Sequence, residues 1–170
     1  MSALNTLPPL AALAERVSTA LRSRGETVAI AESSAGGLVS AALLALPGAS
    51  AFFLGGAVVY TGQARKALLG LTEADLSGMR PSTEAYAGLI AGRIRASHGA
   101  TWGLGESGAT GPTGNRYGDA AGHACVAVAG PAQAARTIET GDADRGANMD
   151  VFARQLLQLF EETLRSQPPA

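Results

Sequence analysis

Residues 27–31 read Thr-Val-Ala-Ile-Ala, a short continuous apolar run with no polar alternation. A strand patterned in this way needs both of its faces covered, which is the situation inside a layered α/β domain. The run leads straight into Glu32-Ser33-Ser34-Ala35-Gly36-Gly37, and a helix is expected over Leu38–Leu46, stopped by Pro47-Gly48. A strand, a turn of small residues and a helix together place a site at the carboxyl end of the strand.

The rest of the chain supplies the other layers. Leu10, Leu13, Val17 and Leu21 mark an amphipathic helix over Pro9–Arg24, with Gly25 suited to its C-terminal cap. Gln63–Leu69 reads as a helix. A longer one follows caps at Ser82 or Thr83 and carries Tyr86, Leu89, Ile90 and Ile94 on its apolar face. A final helix is expected over Asn148–Arg165. Strands are expected over Phe52–Tyr60, Thr101–Leu104 and His123–Val128, with an edge strand over Arg136–Thr140. Alternating strands and helices predict an α/β fold: a three-layer α/β/α domain with a mixed, mostly parallel sheet. We expect one domain over residues 1–170, with an ordered core of about 8–165 and a frayed tail from Gln167.

Composition narrows the function. Thirteen Lys and Arg against 14 Asp and Glu give a formal charge of -1, which argues against a nucleic-acid surface. No apolar run is long enough to span a bilayer and the first residues lack a basic leader, so a cytoplasmic protein without a membrane partner is expected. One cysteine, Cys125, precludes an internal disulfide, and it reads as core. Two histidines, His98 and His123, lack metal-ligand spacing, so neither a metal nor another cofactor is expected. His98 reads as a helix-end cap, whereas His123, opening a strand, is open to a ligand contact. Small Gly- and Ala-rich surfaces leave room for a homo-oligomer.

Three segments carry candidate chemistry. Ser33 sits where unpaired backbone N–H groups can bind an anion or an oxyanion, although Ser33 or Ser34 is equally suited to capping the next helix. Tyr60, at a strand end, precedes Arg65 and Lys66; this is either a partner for the serine or an interfacial tyrosine beside a solvated basic face. Residues 103–114 contain Gly103, Gly105 and Gly108 in the spacing G-x-G-x-x-G. Pro112 and the glycines that follow forbid the helix that a dinucleotide fingerprint requires. We expect a long loop there, either cradling a phosphate with its amides or acting as a tight crossing.

These segments, in this order, resemble the CinA C-terminal domain family over about residues 8–165. Family members carry A-E-S-C-T-G-G where this chain has Ala31–Gly37. They carry Y-S-N-E-A-K-x-x-L-L-G-V where it has Tyr60–Leu71, and G-x-A-G-P-x-G-G where it has Gly108–Asn115. A later G-D corresponds to Gly141-Asp142. The resemblance implies a three-layer α/β/α fold and, for some members, a serine amidohydrolase. Such enzymes turn nicotinamide mononucleotide into nicotinic acid mononucleotide and ammonia.

Carried over residue by residue, the resemblance makes Ser33 the nucleophile, with Tyr60 and Arg65 beside it. Substrate contacts would come from Glu32, Ser34, Gly36, Gly37, Gly108, Thr110, Gly111, Thr113 and Gly114. Arg65 stands where the family has the lysine base. A desolvated lysine can give up its proton, but guanidinium stays protonated and cannot act as a base. Glu32 or Tyr60 would have to take over. Ala35 replaces a threonine, Gly62 an asparagine, and Arg145 is out of step with the arginine that usually follows G-D. Three functions therefore stand: a nicotinamide-nucleotide amidohydrolase, a catalytically silent nucleotide-binding or regulatory domain with Arg65 as a phosphate ligand, and a hydrolase of another ester or amide.

Overall fold

A computed structural model describes residues 6–168. Helix α1 (Leu10–Arg24) is followed by strand β1 (Val28–Glu32), helix α2 (Leu38–Leu44) and a 3-10 turn at Ala49–Ala51. Strand β2 (Phe53–Val58) leads into helices α3 (Gly62–Leu69), α4 (Glu73–Leu76) and α5 (Glu84–His98). Strands β3 (Trp102–Ala109), β4 (His123–Ala129) and β5 (Ala134–Glu139) precede the last helix, α6 (Arg145–Ser166). Residues 1–5 and 169–170, which include the start of the expected leader-free segment and the end of the expected frayed tail, lie outside the described residues. No helix among the described residues is long and apolar enough to cross a membrane.

The sheet order is β2-β1-β3-β4-β5. The β1–β2 and β1–β3 pairs are parallel, while β3–β4 and β4–β5 are antiparallel. The sheet is therefore mixed, as expected, with parallel pairing confined to the half that carries the Ser33 turn. Every residue of β1 is buried. Val28 and Ile30 pack into the layer of α1, α2 and α6, whereas Ala29 and Ala31 meet the layer containing Tyr86, Ile90 and Ile94 of α5. The unbroken apolar run is thus the signature of a strand covered on both faces.

The strand expected over Thr101–Leu104 is present but longer: residues 105–109, expected as loop, continue it. Trp102 and Leu104 fill the first core, with the Trp102 ring edge-on to Phe160 at 5.6 Å. Gly103 and Gly105 face α5. A Cβ on Gly103 would lie 2.0 Å from the Ala91 carbonyl oxygen, and one on Gly105 would lie 2.1 Å from that of Ala87. These glycines let a helix backbone rest directly on the strand. Helix ends follow the expected chemistry. Gly25 closes α1 at φ 64°, Thr83 Oγ1 accepts from the Tyr86 amide at the start of α5, and His98 at its end sits 3.1 Å from the Ile94 carbonyl.

Gly105→Ala should force α5 off the sheet and lower stability by about 2 kcal/mol. Gly88→Ala, where an added Cβ meets nothing within 4 Å, should raise it by about 0.5 kcal/mol through helix propensity. Urea denaturation of the two variants, compared with the parent, checks both signs.

Candidate active site

The turn between β1 and α2 is held from two sides by buried carboxylates. Glu32, at the end of β1, is fully buried and reaches the start of α2. Its Oε1 accepts from the Gly37 and Val39 amides at 3.2 and 2.9 Å; its Oε2 accepts from the Ser40 amide and hydroxyl at 2.9 and 2.8 Å. Negative charge is favourable at a helix N-terminus, so the preceding strand caps α2. No serine side chain does so. From β3, Glu106 accepts at Oε2 from the amides of Ser33 and Ala35, at 2.9 and 2.8 Å, and at Oε1 from the Ser34 hydroxyl.

These bonds revise several sequence expectations. The Ser33, Ala35 and Gly37 amides already serve carboxylates, and the Gly36 amide donates to the Ser33 carbonyl. They are not a free oxyanion hole. Glu32 is an anchor with its acceptor sites filled, not a base, and Ser34 points at Glu106. Gly36 and Gly37, at φ 69° and 97°, shape the turn in a region that L side chains rarely adopt.

Ser33, Tyr60 and Arg65 come from three separate elements and line one pocket of about 680 Å³. That is a size suited to a small molecule. Ser33 is 9% exposed at its wall. Arg65 is buried, donating from Nη2 to Glu73 Oε1 at 2.7 Å and from Nη1 to the Tyr86 hydroxyl at 3.5 Å. Its Nε is buried without a hydrogen-bond partner among the described residues. Burial pushes the Arg65 pKa down, but Tyr86 and Glu73 outweigh this and hold it above the usual guanidinium value, so Arg65 is a fixed cation. Lys66, the neighbouring lysine, is exposed and lies off the pocket wall. Tyr60 Oη accepts from Arg145 Nη2 at 3.2 Å, so the arginine that is out of step in sequence meets the site in space.

Gly108 lines the pocket, but Thr110, Gly111, Thr113 and Gly114 do not. The Thr110 and Gly111 carbonyls accept from Asn148 and Arg145, at 2.8 and 2.7 Å. A Cβ on Gly114 would lie 2.0 Å from the Asp119 carbonyl oxygen, so this glycine admits the protein's own backbone. The wall continues instead through residues that the sequence reading passed over: Arg80, Ser107, Asn115, Arg116 and Tyr117. Arg80 makes a two-bond pair with Asp119, at 2.7 and 3.1 Å, and its guanidinium lies 5.3 Å from the centre of the Tyr117 ring. The Arg116-Tyr117 dipeptide, a cation beside an aromatic in a Gly-rich loop, was the available signal.

On the same wall Ser82, at φ 60°, is held in an uncommon conformation for a residue with a Cβ. Its amide donates to Ser107 Oγ at 3.1 Å, and its carbonyl accepts from His123 Nε2 at 2.9 Å. His123 Nδ1 faces Glu139 Oε1 at 2.5 Å. Both ring nitrogens face acceptors, which the doubly protonated ring satisfies. Burial lowers the His123 pKa, but Glu139, Ser82 and Asp119 raise it further, leaving it above the ordinary value. His123 therefore supports the pocket wall from behind.

The matched family model, CinA C-terminal domain, spans residues 10–164. The chain belongs to the CinA C-terminal domain family. A CinA-like protein of Prochlorococcus marinus (strain MIT 9313) is 41% identical over 119 residues, covering 70% of this chain and 28% of that protein. One of Anaeromyxobacter sp. (strain K) is 38% identical over 150 residues, covering 86% and 37%. The chain thus spans roughly a third of the length of these relatives. The crystal structure of a CinA superfamily protein from Klebsiella pneumoniae 700603 superposes with a TM-score of 0.87 at 26% identity, covering 94% of this chain and 100% of that one. A competence or damage-inducible protein from Enterobacter asburiae gives 0.85 at 26%, covering 92% and 99%. This CinA domain has the family's α/β fold, with Arg65 and Glu106 set into it.

Because the His123 pKa is raised on folding, its contribution to stability is full below the unfolded pKa and is lost as pH rises through the folded one. Glu139→Gln should lower the ring's titration midpoint and remove part of that pH dependence. Histidine NMR titration and thermal melts from pH 5 to 9 check both.

Proposed function

We propose that this domain is a serine-dependent amidohydrolase acting on a nicotinamide nucleotide, with Ser33 as nucleophile. The observation that carries the reading is the convergence of Ser33, Tyr60 and Arg65 on one pocket. Ser33 Oγ attacks the carboxamide carbon, the C–N bond breaks, and ammonia leaves an acyl-serine that water hydrolyses to the carboxylate. The serine proton must reach the departing nitrogen. Tyr60 serves as the carrier, giving its hydroxyl proton to the nitrogen and taking one from Ser33, while Arg145 fixes its oxygen. Positive charge for the developing oxyanion or for the phosphate comes from Arg65, a fixed cation among the residues that line the pocket. The half-buried Tyr117 side chain supplies aromatic surface on the pocket wall for a heteroaromatic base.

Arg65 also favours a second reading, in which the domain binds a nucleotide without turnover because a permanent cation replaces a titratable base.

Ammonia release from nicotinamide mononucleotide should be abolished by Ser33→Ala, with the melting temperature retained, and reduced at least about tenfold by Tyr60→Phe. A silent parent that binds the nucleotide by calorimetry and gains turnover in Arg65→Lys would select the second reading. Turnover retained in Ser33→Ala would overturn the first.

A further inference from the structure

Glu106 is a buried acid that the proposed chemistry leaves unused. It is fully buried in the middle of β3, with the Ser33 and Ala35 amides on one oxygen and the Ser34 hydroxyl on the other. The hydrogen bonds therefore bracket the nucleophile along the chain, before and after Ser33's own side chain. No salt bridge joins Glu106 to a cation among the described residues. The charge that bears on it is another carboxylate, Glu32 of the adjoining strand. The turn offers it amides and hydroxyls, its partner across the β3–β4 ladder is Val126, and α2 and α6 present apolar residues such as Val39 and Phe152 to that core.

We propose that Glu106 is a positioning residue whose ionised carboxylate clamps the Ser33 turn, so that loss of its charge slackens the nucleophile. The proposal rests on the reading of Ser33 as nucleophile. An ionised carboxylate is acceptor-only and takes all the donors that face it. Bonds to a charged acceptor are shorter and roughly twice as strong as neutral ones. Once protonated, Glu106 must donate one bond back to Ser34 Oγ, and it holds the Ser33 and Ala35 amides only with neutral strength.

The titration falls in a range that matters. Burial pushes the Glu106 pKa up to about 7; the Ser34, Ala35 and Ser33 bonds oppose this and Glu32 adds to it. The sign is informative. With the folded pKa raised, the contribution of Glu106 to stability is full below its unfolded pKa and is lost as pH rises through about 7, where the clamp charges and tightens. A purely structural acid would move stability alone. A positioning acid moves stability and kcat in opposite directions.

The test follows the Ser33 and Ala35 backbone amides by 1H–15N NMR from pH 5 to 9 in the full chain, beside kcat and KM for ammonia release from nicotinamide mononucleotide. Both amides should titrate together with a midpoint near 7, and kcat should rise with the same midpoint. Glu106→Gln, which mimics the neutral acid, should abolish the amide titration and flatten the kcat profile. It should lower kcat about tenfold above pH 8 while KM changes less than about twofold. Ser34→Ala removes a donor to the ionised form and should raise the midpoint by about one pH unit, which supplies the readout if Glu106→Gln does not fold. Amides that do not titrate, or that still titrate in Glu106→Gln, overturn the proposal, as does an unchanged kcat profile in that variant. A parent without turnover whose amides titrate with Glu106 would instead remove the Ser33 reading and leave the clamp as a backbone device.

Discussion

Two carboxylates at neighbouring strands, neither paired with a cation among the described residues, fix the turn on which the site is built. Glu32 spends its oxygens on the start of α2, and Glu106 spends its oxygens on the turn itself. Buried acids are tolerated when their lone pairs are filled, and here backbone amides and hydroxyls fill them. The arrangement gives the Ser33 turn little freedom. It also consumes the amides that a free turn would offer an anion, so positive potential in the pocket has to come from side chains.

Those side chains are mainly arginines. Arg65 lies buried against Tyr86 and Glu73, Arg80 is tied to Asp119, and Arg116 to the Tyr117 hydroxyl, while Arg145, off the pocket lining, links the Gly111 carbonyl to Tyr60. Each is held by a partner, which restricts the geometry in which it meets a ligand. Helix α5 rests directly on β3. Gly103 and Gly105 remove the side chains that would hold the helix away, and α5 then brings Tyr86 to the pocket wall.

Much of the fold was legible because burial leaves a periodic trace. The all-apolar Thr27–Ala31 run, the helical spacing in α1 and α6 and the terminal glycines of α1 and α5 each report a local physical requirement. Residues 105–109 were misread because glycine has two meanings. In a turn it supplies left-handed backbone; in β3 it supplies room for a helix, and composition does not distinguish them. That misreading also concealed Glu106, since a carboxylate in a loop is unremarkable while one inside a buried strand is not. Ser33, Tyr60 and Arg65 were legible through their place in the motifs. Arg80 and Tyr117 were not, because their importance lies in packing against one another from distant parts of the chain.

By itself, the sequence determined the layered α/β architecture, the positions of its main elements and the fixed charge of Arg65, because these depend on local periodicity and intrinsic chemistry. Tertiary structure alone decided which donors remain free, which glycines are contacts, and that Glu32 and Glu106 occupy the turn's amides. Hydrogen-bond commitment and burial are properties of neighbours distant in the chain: Glu106 is 73 residues from Ser33, and Arg145 is 85 from Tyr60. No local pattern encodes such a meeting.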